Sequence, residues 1–412
     1  MKNFIAHTDE VRKQMLNSIN AASVEDLFKQ VPAKFSNFKM DNPLSEMEAQ
    51  KRVKALAKKN KTEYISFLGG GVYNKFIPAA VNYVAQRFEF LTAYTPYQPE
   101  ISQGTLQIIY EYQTMISRIT GMDIANASMY DGGSACAEAV LMAHRIARSK
   151  KNKALISNKI NPEYKEVIKT YTWAQNIELE WFDEIPQNVS DACCVLVQYP
   201  DFYGEITELV KPETTFIVCA NLSALSVIKP PVEADIVVGD IQPLGIPMSF
   251  GGPHAGYMAC KEAYMRQLPG RLVGRTLDAD GEQAFTLTIQ TREQHIKREK
   301  ATSNICSNQS LIALSATLYL SLVGEKGFKE AGIMSANNAH ALSKMLEGRG
   351  IKTLNKVFFN EFVIEVGNSD DFLKKLKDAN ILGGIKLDEK HILVCATEMN
   401  SEEDILAYIE AI

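Results

Sequence analysis

Ile124-Ala125-Asn126-Ala127-Ser128-Met129-Tyr130-Asp131-Gly132-Gly133-Ser134-Ala135 passes from a short apolar run, through small residues, into the helix-like segment Ala135–Ser149. A strand that turns on small residues into a helix leaves backbone N–H groups free at the helix amino terminus, a setting suited to phosphate. A plain tight turn with Ser134 as helix N-cap accounts for the same residues. Either way the stretch is one strand–helix unit, with a strand over Ile124–Met129. The unit recurs. Apolar runs at Ala154–Ile156, Ile177–Trp181, Cys193–Val197, Phe216–Ala220, Asp235–Val238 and Ala255–Cys260 alternate with helical segments such as Pro162–Ala174. Strands bounded by helices predict an α/β domain with a mostly parallel sheet covered on both faces.

At 412 residues the chain exceeds the usual size of a single core. Residues 1–60 read as a helical N-terminal arm, with a start signal at Ser23–Phe28 and helix formers over Met47–Lys59. Residues 61–324 form the large α/β domain. Residues 325–412 read as a small α+β C-terminal domain: helix Gly332–Glu347, strand Phe358–Glu365, helix Ser369–Ala379, strand His391–Ala396 and helix Ser401–Ile412.

Composition narrows the partners. A net charge of -5 gives no basic footprint for nucleic acid. No apolar run approaches the roughly 20 residues of a membrane-spanning helix, and Met1–Asp9 lacks the apolar core of a signal peptide. A cytoplasmic location is the expectation. The seven cysteines, at 136, 193, 194, 219, 260, 306 and 395, show no metal-ligand or disulfide spacing. His144 reads as a packing residue, and His254 and His295 have no evident carboxylate or metal partner in sequence. No metal site is expected.

Two polar stretches stand out. Tyr94-Thr95-Pro96-Tyr97-Gln98-Pro99-Glu100-Ile101-Ser102-Gln103 packs two prolines, two tyrosines and two glutamines into ten residues. The prolines exclude regular helix, and the polar groups suit a wall around a small zwitterion such as an amino acid. Arg292–Asn308 ends in Lys300-Ala301-Thr302-Ser303-Asn304-Ile305-Cys306-Ser307-Asn308. With Tyr64–Gly69 and Val394–Glu398, these motifs resemble the amino-terminal half of the glycine decarboxylase P proteins of the glycine cleavage system. In many organisms that half is a separate first (alpha) subunit. The resemblance spans nearly the whole chain and implies the aspartate-aminotransferase-like fold, fold type I of the pyridoxal-phosphate enzymes.

The same resemblance shows what is missing. In the family's catalytic half the imine lysine follows a histidine, after a strand beginning with aspartate. Here Asp235–Gly245 puts Gln242 at the histidine and Pro243 at the lysine, and no lysine occurs between Lys229 and Lys261. The acid beneath the cofactor's pyridine nitrogen falls on Val218, within Val218–Leu225. Pyridoxal phosphate is therefore expected on a partner beta subunit, with none covalently bound to this chain. Active sites of this fold lie at a dimer interface. The resemblance therefore implies that Tyr94, Thr95, Tyr97, Gln98, Glu100 and Gln103 are lent to the partner's site. It also implies that Lys300, Thr302, Ser303 and Asn304 reach the partner's cofactor phosphate. Ser303, Asn304 or Ser307 could instead cap a helix over Leu311–Leu322.

The implied activity is that of glycine dehydrogenase (aminomethyl-transferring), EC 1.4.4.2: glycine loses its carboxylate, and the aminomethyl group passes to the lipoyl arm of H protein. Two alternatives stay open. One is a scaffold subunit of the same complex; the other is an autonomous pyridoxal-phosphate enzyme using another lysine. Leu68–Tyr73 lacks the Gly-x-Gly-x-x-Gly spacing of a dinucleotide site and is read as close backbone packing or a mobile substrate loop. Ser249–Gly256 matches the family's turn after the lysine strand, as structural turn or substrate contact.

Overall fold

Alternation of buried side chains along the strands explains the architecture. In the computed structural model, which describes residues 7–32 and 40–412, the chain divides into two units, Met1–Thr62 and Glu63–Ile412. The first holds α1 (Asp9–Ser18), capped by Thr8, a short 3-10 turn at Glu25–Phe28, and α2 (Glu46–Ala57), which opens on a reciprocal Ser45–Glu48 capping box. The remaining arm residues of the sequence reading, 1–6 and 33–39, lie outside the described ones.

The second unit starts with β1 (Ile65–Ser66), α3 (Ala79–Ala85), α4 (Phe88–Leu91) and α5 (Gln103–Thr120). Buried Leu106, Ile109, Tyr112, Gln113, Ile116 and Thr120 recur every three or four residues along α5, and Gly121 ends it at φ 70. Then come β2 (Ile124–Ala125), α6 (Gly132–Ile146), β3 (Lys153–Ser157), α7 (Pro162–Trp173) and β4 (Glu178–Phe182). They are followed by β5 (Ala192–Tyr199), β6 (Thr215–Ala220), β7 (Ile236–Asp240) and β8 (Gly256–Cys260). These seven strands form one sheet in the order β2-β8-β7-β6-β5-β3-β4. β8 is antiparallel to both neighbours, and all other pairs are parallel.

Alternate residues feed alternate cores, as strand geometry requires. Phe216, Val218 and Ala220 of β6 enter one cluster, with Tyr257 and Tyr319. Ile217 and Cys219 enter the opposite one, with α6. β2 is shorter than the expected Ile124–Met129. Ser128 takes φ 132 and breaks the run, and the chain touches the sheet again only at the Met129–Gly256 bridge.

A hairpin follows, β9 (Leu272–Leu277) with β10 (Gln283–Thr288), then α8 (Gln294–Lys297) and α9 (Ser310–Gly348). By length and composition α9 could cross a membrane, which the sequence reading did not allow for. Its buried residues, however, serve two cores: Tyr319 and Leu320 pack under the large sheet, and Ala339, Leu342 and Leu346 under the small one. Gly324, at φ 62 and ψ -178, separates the halves. The rest comprises β11 (Lys352–Thr353), β12 (Glu361–Glu365), α10 (Ser369–Asp378), β13 (Ile381–Leu382), β14 (Ile385–Lys386), β15 (His391–Cys395) and α11 (Glu402–Glu410). The small sheet runs β11-β12-β15-β14, while β13 pairs with β1 and draws Phe67 into the C-terminal core.

Candidate functional site

Open α/β sheets bind ligands outside the carboxyl ends of their parallel strands. Here the ends of β5, β6 and β7 border a cavity of ≈ 40 Å³, whose lining includes Tyr164, Cys219, Asn221, Asp240 and Pro243. At ~10–15 Å³ per water it holds a few waters, whereas small-molecule sites run to roughly 300–1,000 Å³.

The chain's own groups fill the space. Asp131, not Ser134, is the N-cap of α6: its carboxylate accepts from Ser134 N at 2.7 Å, and Ser134 Oγ accepts from Asp131 N at 3.1 Å. Gly132 N–H donates to Asp240 Oδ2 at 3.2 Å, while Asp240 Oδ1 accepts from Gln242 N at 2.7 Å. A helix N-terminus attracts anions, and this one already holds an internal carboxylate. Burial pushes that carboxyl from 3.8 up to about 7, against the pull of its two backbone N–H donors. The Tyr164 ring lies so close to Gly132 that a Cβ there would overlap its hydroxyl.

Gly71 and Tyr73 of the glycine-rich segment line the cavity, and the segment is tied to the rest of the chain. Gly70 N and Tyr73 Oη both donate to Glu361, at 2.6 Å each. Gln242 exchanges two 2.9 Å hydrogen bonds with the backbone of Tyr73. Pro243 lines the cavity and no lysine does. Val218 is fully buried in the cluster on the other face of the sheet; its neighbour Cys219 is the residue that lines the cavity.

Outside this plugged place, the two polar motifs meet at Arg271, which sequence reading missed. The guanidinium is only 3% exposed. Nη2 donates to Tyr97 Oη at 3.2 Å and to Cys306 O at 3.3 Å, and Nη1 donates to Ser307 Oγ at 2.9 Å and Asn308 Oδ1 at 3.3 Å. Glu293, nearly buried, stands 4.0 Å from Arg271 Nε and 3.5 Å from His295 Nδ1. The His295 ring meets Tyr97 edge-on at 5.7 Å, so His295 does have a carboxylate neighbour. A lone arginine between Leu268 and Leu272 was the available signal.

Other expected residues divide plainly. Tyr94, Gln98, Glu100, Lys300 and Asn304 are exposed, and Thr95, Thr302 and Ser303 are half-buried. Gln103 is spent inside the chain: its amide bonds Phe285 N at 2.8 Å and Phe285 O at 2.9 Å. Ser303 Oγ accepts from Ile305 N, and Asn304 from the Gln294 amide. None of Ser303, Asn304 and Ser307 caps α9, whose N-cap position is Gln309. His144 packs, bonded to Asn152 at 2.9 Å. All seven cysteines are free, with only Cys306 exposed. Among the described residues no His, Cys, Asp or Glu group converges as a metal site.

The glycine cleavage system P-protein family model matches residues 2–412. The chain belongs to that family. Its P-protein relatives include the probable glycine dehydrogenase (decarboxylating) subunit 1 of Geobacillus thermodenitrificans, 46% identical over 98% of this chain and 97% of that one. The same-named protein of Desulforamulus reducens is 45% identical over 98% of this chain and 97% of that one. A crystal structure of glycine decarboxylase (P-protein) in inhibitor-bound form matches with a TM-score of 0.88 at 40% identity, covering 99% of each chain. A Lactobacillus brevis glutamate decarboxylase, at TM-score 0.65 and 11% identity over 93% of this chain and 96% of that one, shows the shared fold alone. Resemblance to the P-protein family implies pyridoxal phosphate. The residues of this chain do not fit it: Pro243 offers no amine, Asp240 holds the α6 terminus, and ≈ 40 Å³ remains.

Proposed function

We propose that this chain is the first subunit of a two-chain glycine decarboxylase, active only beside a second subunit that holds pyridoxal phosphate on its own lysine. The relatives' name, subunit 1, supports a partner. The observation that carries the reading is an asymmetry. The chain's own cofactor place is filled by Asp131, Asp240 and Tyr164, while Tyr97, held by the buried Arg271, is 45% exposed.

No step of the reaction runs through this chain's own cavity. The complex removes the carboxylate of glycine as CO2 and passes the aminomethyl group to the lipoyl group of H protein. This chain's share is to wall the partner's site. Tyr94, Thr95, Tyr97, Gln98 and Glu100 face substrate, and Lys300, Thr302, Ser303 and Asn304 face the cofactor phosphate. The helical arm and the Tyr94–Gln103 loop lie against the partner, and part of the surface receives H protein. The reading includes a cytoplasmic site of action, which fractionation tests.

One observation favours the scaffold alternative for part of the motif: Gln103 bonds only its own chain. Glycine–bicarbonate exchange with each subunit alone and with the pair separates the readings. Exchange is expected only from the pair. Full exchange by the partner alone makes this chain a scaffold, and exchange by this chain alone makes it an autonomous enzyme.

A further inference from the structure

Arg271 donates hydrogen bonds to groups 174 and 36 residues away along the chain, Tyr97 on one side and Ser307 on the other. Its flat, five-donor fork spans both at once, which the single ammonium of a lysine does not do. The guanidinium lies 5.5 Å from the Tyr97 ring centre, so ring and hydroxyl are both held. The direction of the Tyr97 bond matters most. Arginine only donates, so the phenol oxygen accepts from it and the phenol proton stays free for another acceptor. Tyr97 is 45% exposed, so that proton is available to a group outside the chain.

We infer that Arg271 is a positioning residue for glycine decarboxylation, acting through Tyr97. It fixes the phenol so that its O–H donates outward, to the substrate carboxylate in the partner's site. It also locks the Tyr94–Gln103 loop to Cys306–Asn308, so the two motifs are presented as one rigid wall. The inference rests on the lent-wall reading above. Glu293 contributes by keeping the buried guanidinium beside a counter-charge.

A double-mutant cycle in the reconstituted two-chain enzyme tests it, with Tyr97→Phe, Arg271→Lys and the pair of changes. Each single variant should lower kcat/KM by ~10- to 100-fold, the worth of one hydrogen bond to a charged group. Most of the loss should lie in KM, because the carboxylate carries its charge in bound glycine and loses it as CO2 leaves. The double variant should lose no more than either single one, because both changes remove the same donor geometry. If Tyr97→Phe keeps the wild-type kcat/KM, the lent-wall reading itself fails. If Tyr97→Phe is slow but Arg271→Lys is not, or the two losses multiply, the wall stands and the role of Arg271 is overturned. Should Arg271→Lys fail to assemble, Ser307→Ala replaces it, loosening the fork while leaving the buried charge in place. Its kcat/KM loss must vanish in the Tyr97→Phe background, and a persisting loss overturns the inference.

Discussion

Asp240 ties the end of β7 to the start of α6. Its carboxyl keeps its proton to about 7 in the folded chain, against 3.8 ordinarily. Between those values the folded state binds more protons than the unfolded one. The Asp240 contribution is therefore fully present below about 3.8 and lost as pH rises through about 7. Asp240→Asn removes that loss, so the variant should gain stability relative to wild type from pH 5 to pH 8, of order 2 kcal/mol. Urea midpoints at the two pH values check this; parallel pH dependence of variant and wild type would contradict it. On the outer face, Thr302→Val should weaken retention of pyridoxal phosphate by the partner, measured as bound cofactor after gel filtration. Full retention would remove Thr302 from the phosphate contacts. At this scale the sequence was half legible. Pro243 could be read from order alone, since the missing amine needs no fold. Asp240 and Arg271 could not, because their partners, Gly132 and Tyr97, lie more than a hundred residues away.

The elements show where periodicity suffices. The buried strands of the large sheet and helices α6, α7, α10 and α11 follow the expected runs to within a few residues, since burial on both sheet faces makes each strand a continuous apolar run. The hairpin β9–β10 escaped because Leu272–Leu277 and Gln283–Thr288 mix polar and apolar residues on a half-exposed ribbon. Helix α5 escaped although its buried positions have helical spacing; the prolines just before it drew the reading to the loop instead. Helix α9 was read only as fragments, because Gly324 breaks it in a conformation open essentially to glycine alone. No atom lies within 4 Å of a Cβ built at Gly324 or at Gly348, but only Gly324 has a positive φ. Gly324→Ala should therefore cost ~1–3 kcal/mol, while Gly348→Ala should be neutral or gain ~0.5–1 kcal/mol. Thermal melts of the two variants compare them directly. Equal shifts would show that the kink is not held by the backbone of residue 324.

For the whole molecule, the chain has the P-protein fold, and the cavity at its strand ends is only ≈ 40 Å³. The sequence conveyed the layers and the missing lysine. It did not convey how that cavity is narrowed, which needs the end of β7 bonded to the start of α6, over a hundred residues away. On the proposed reading this chain supplies a wall and its partner the cofactor, so the chemistry belongs to the assembly. Borohydride reduction of the reconstituted two-chain complex, followed by peptide mapping, tests that claim most directly. The account predicts one pyridoxyl adduct per pair, on a lysine of the partner, and none on this chain. A stoichiometric adduct on any lysine of this chain would contradict it.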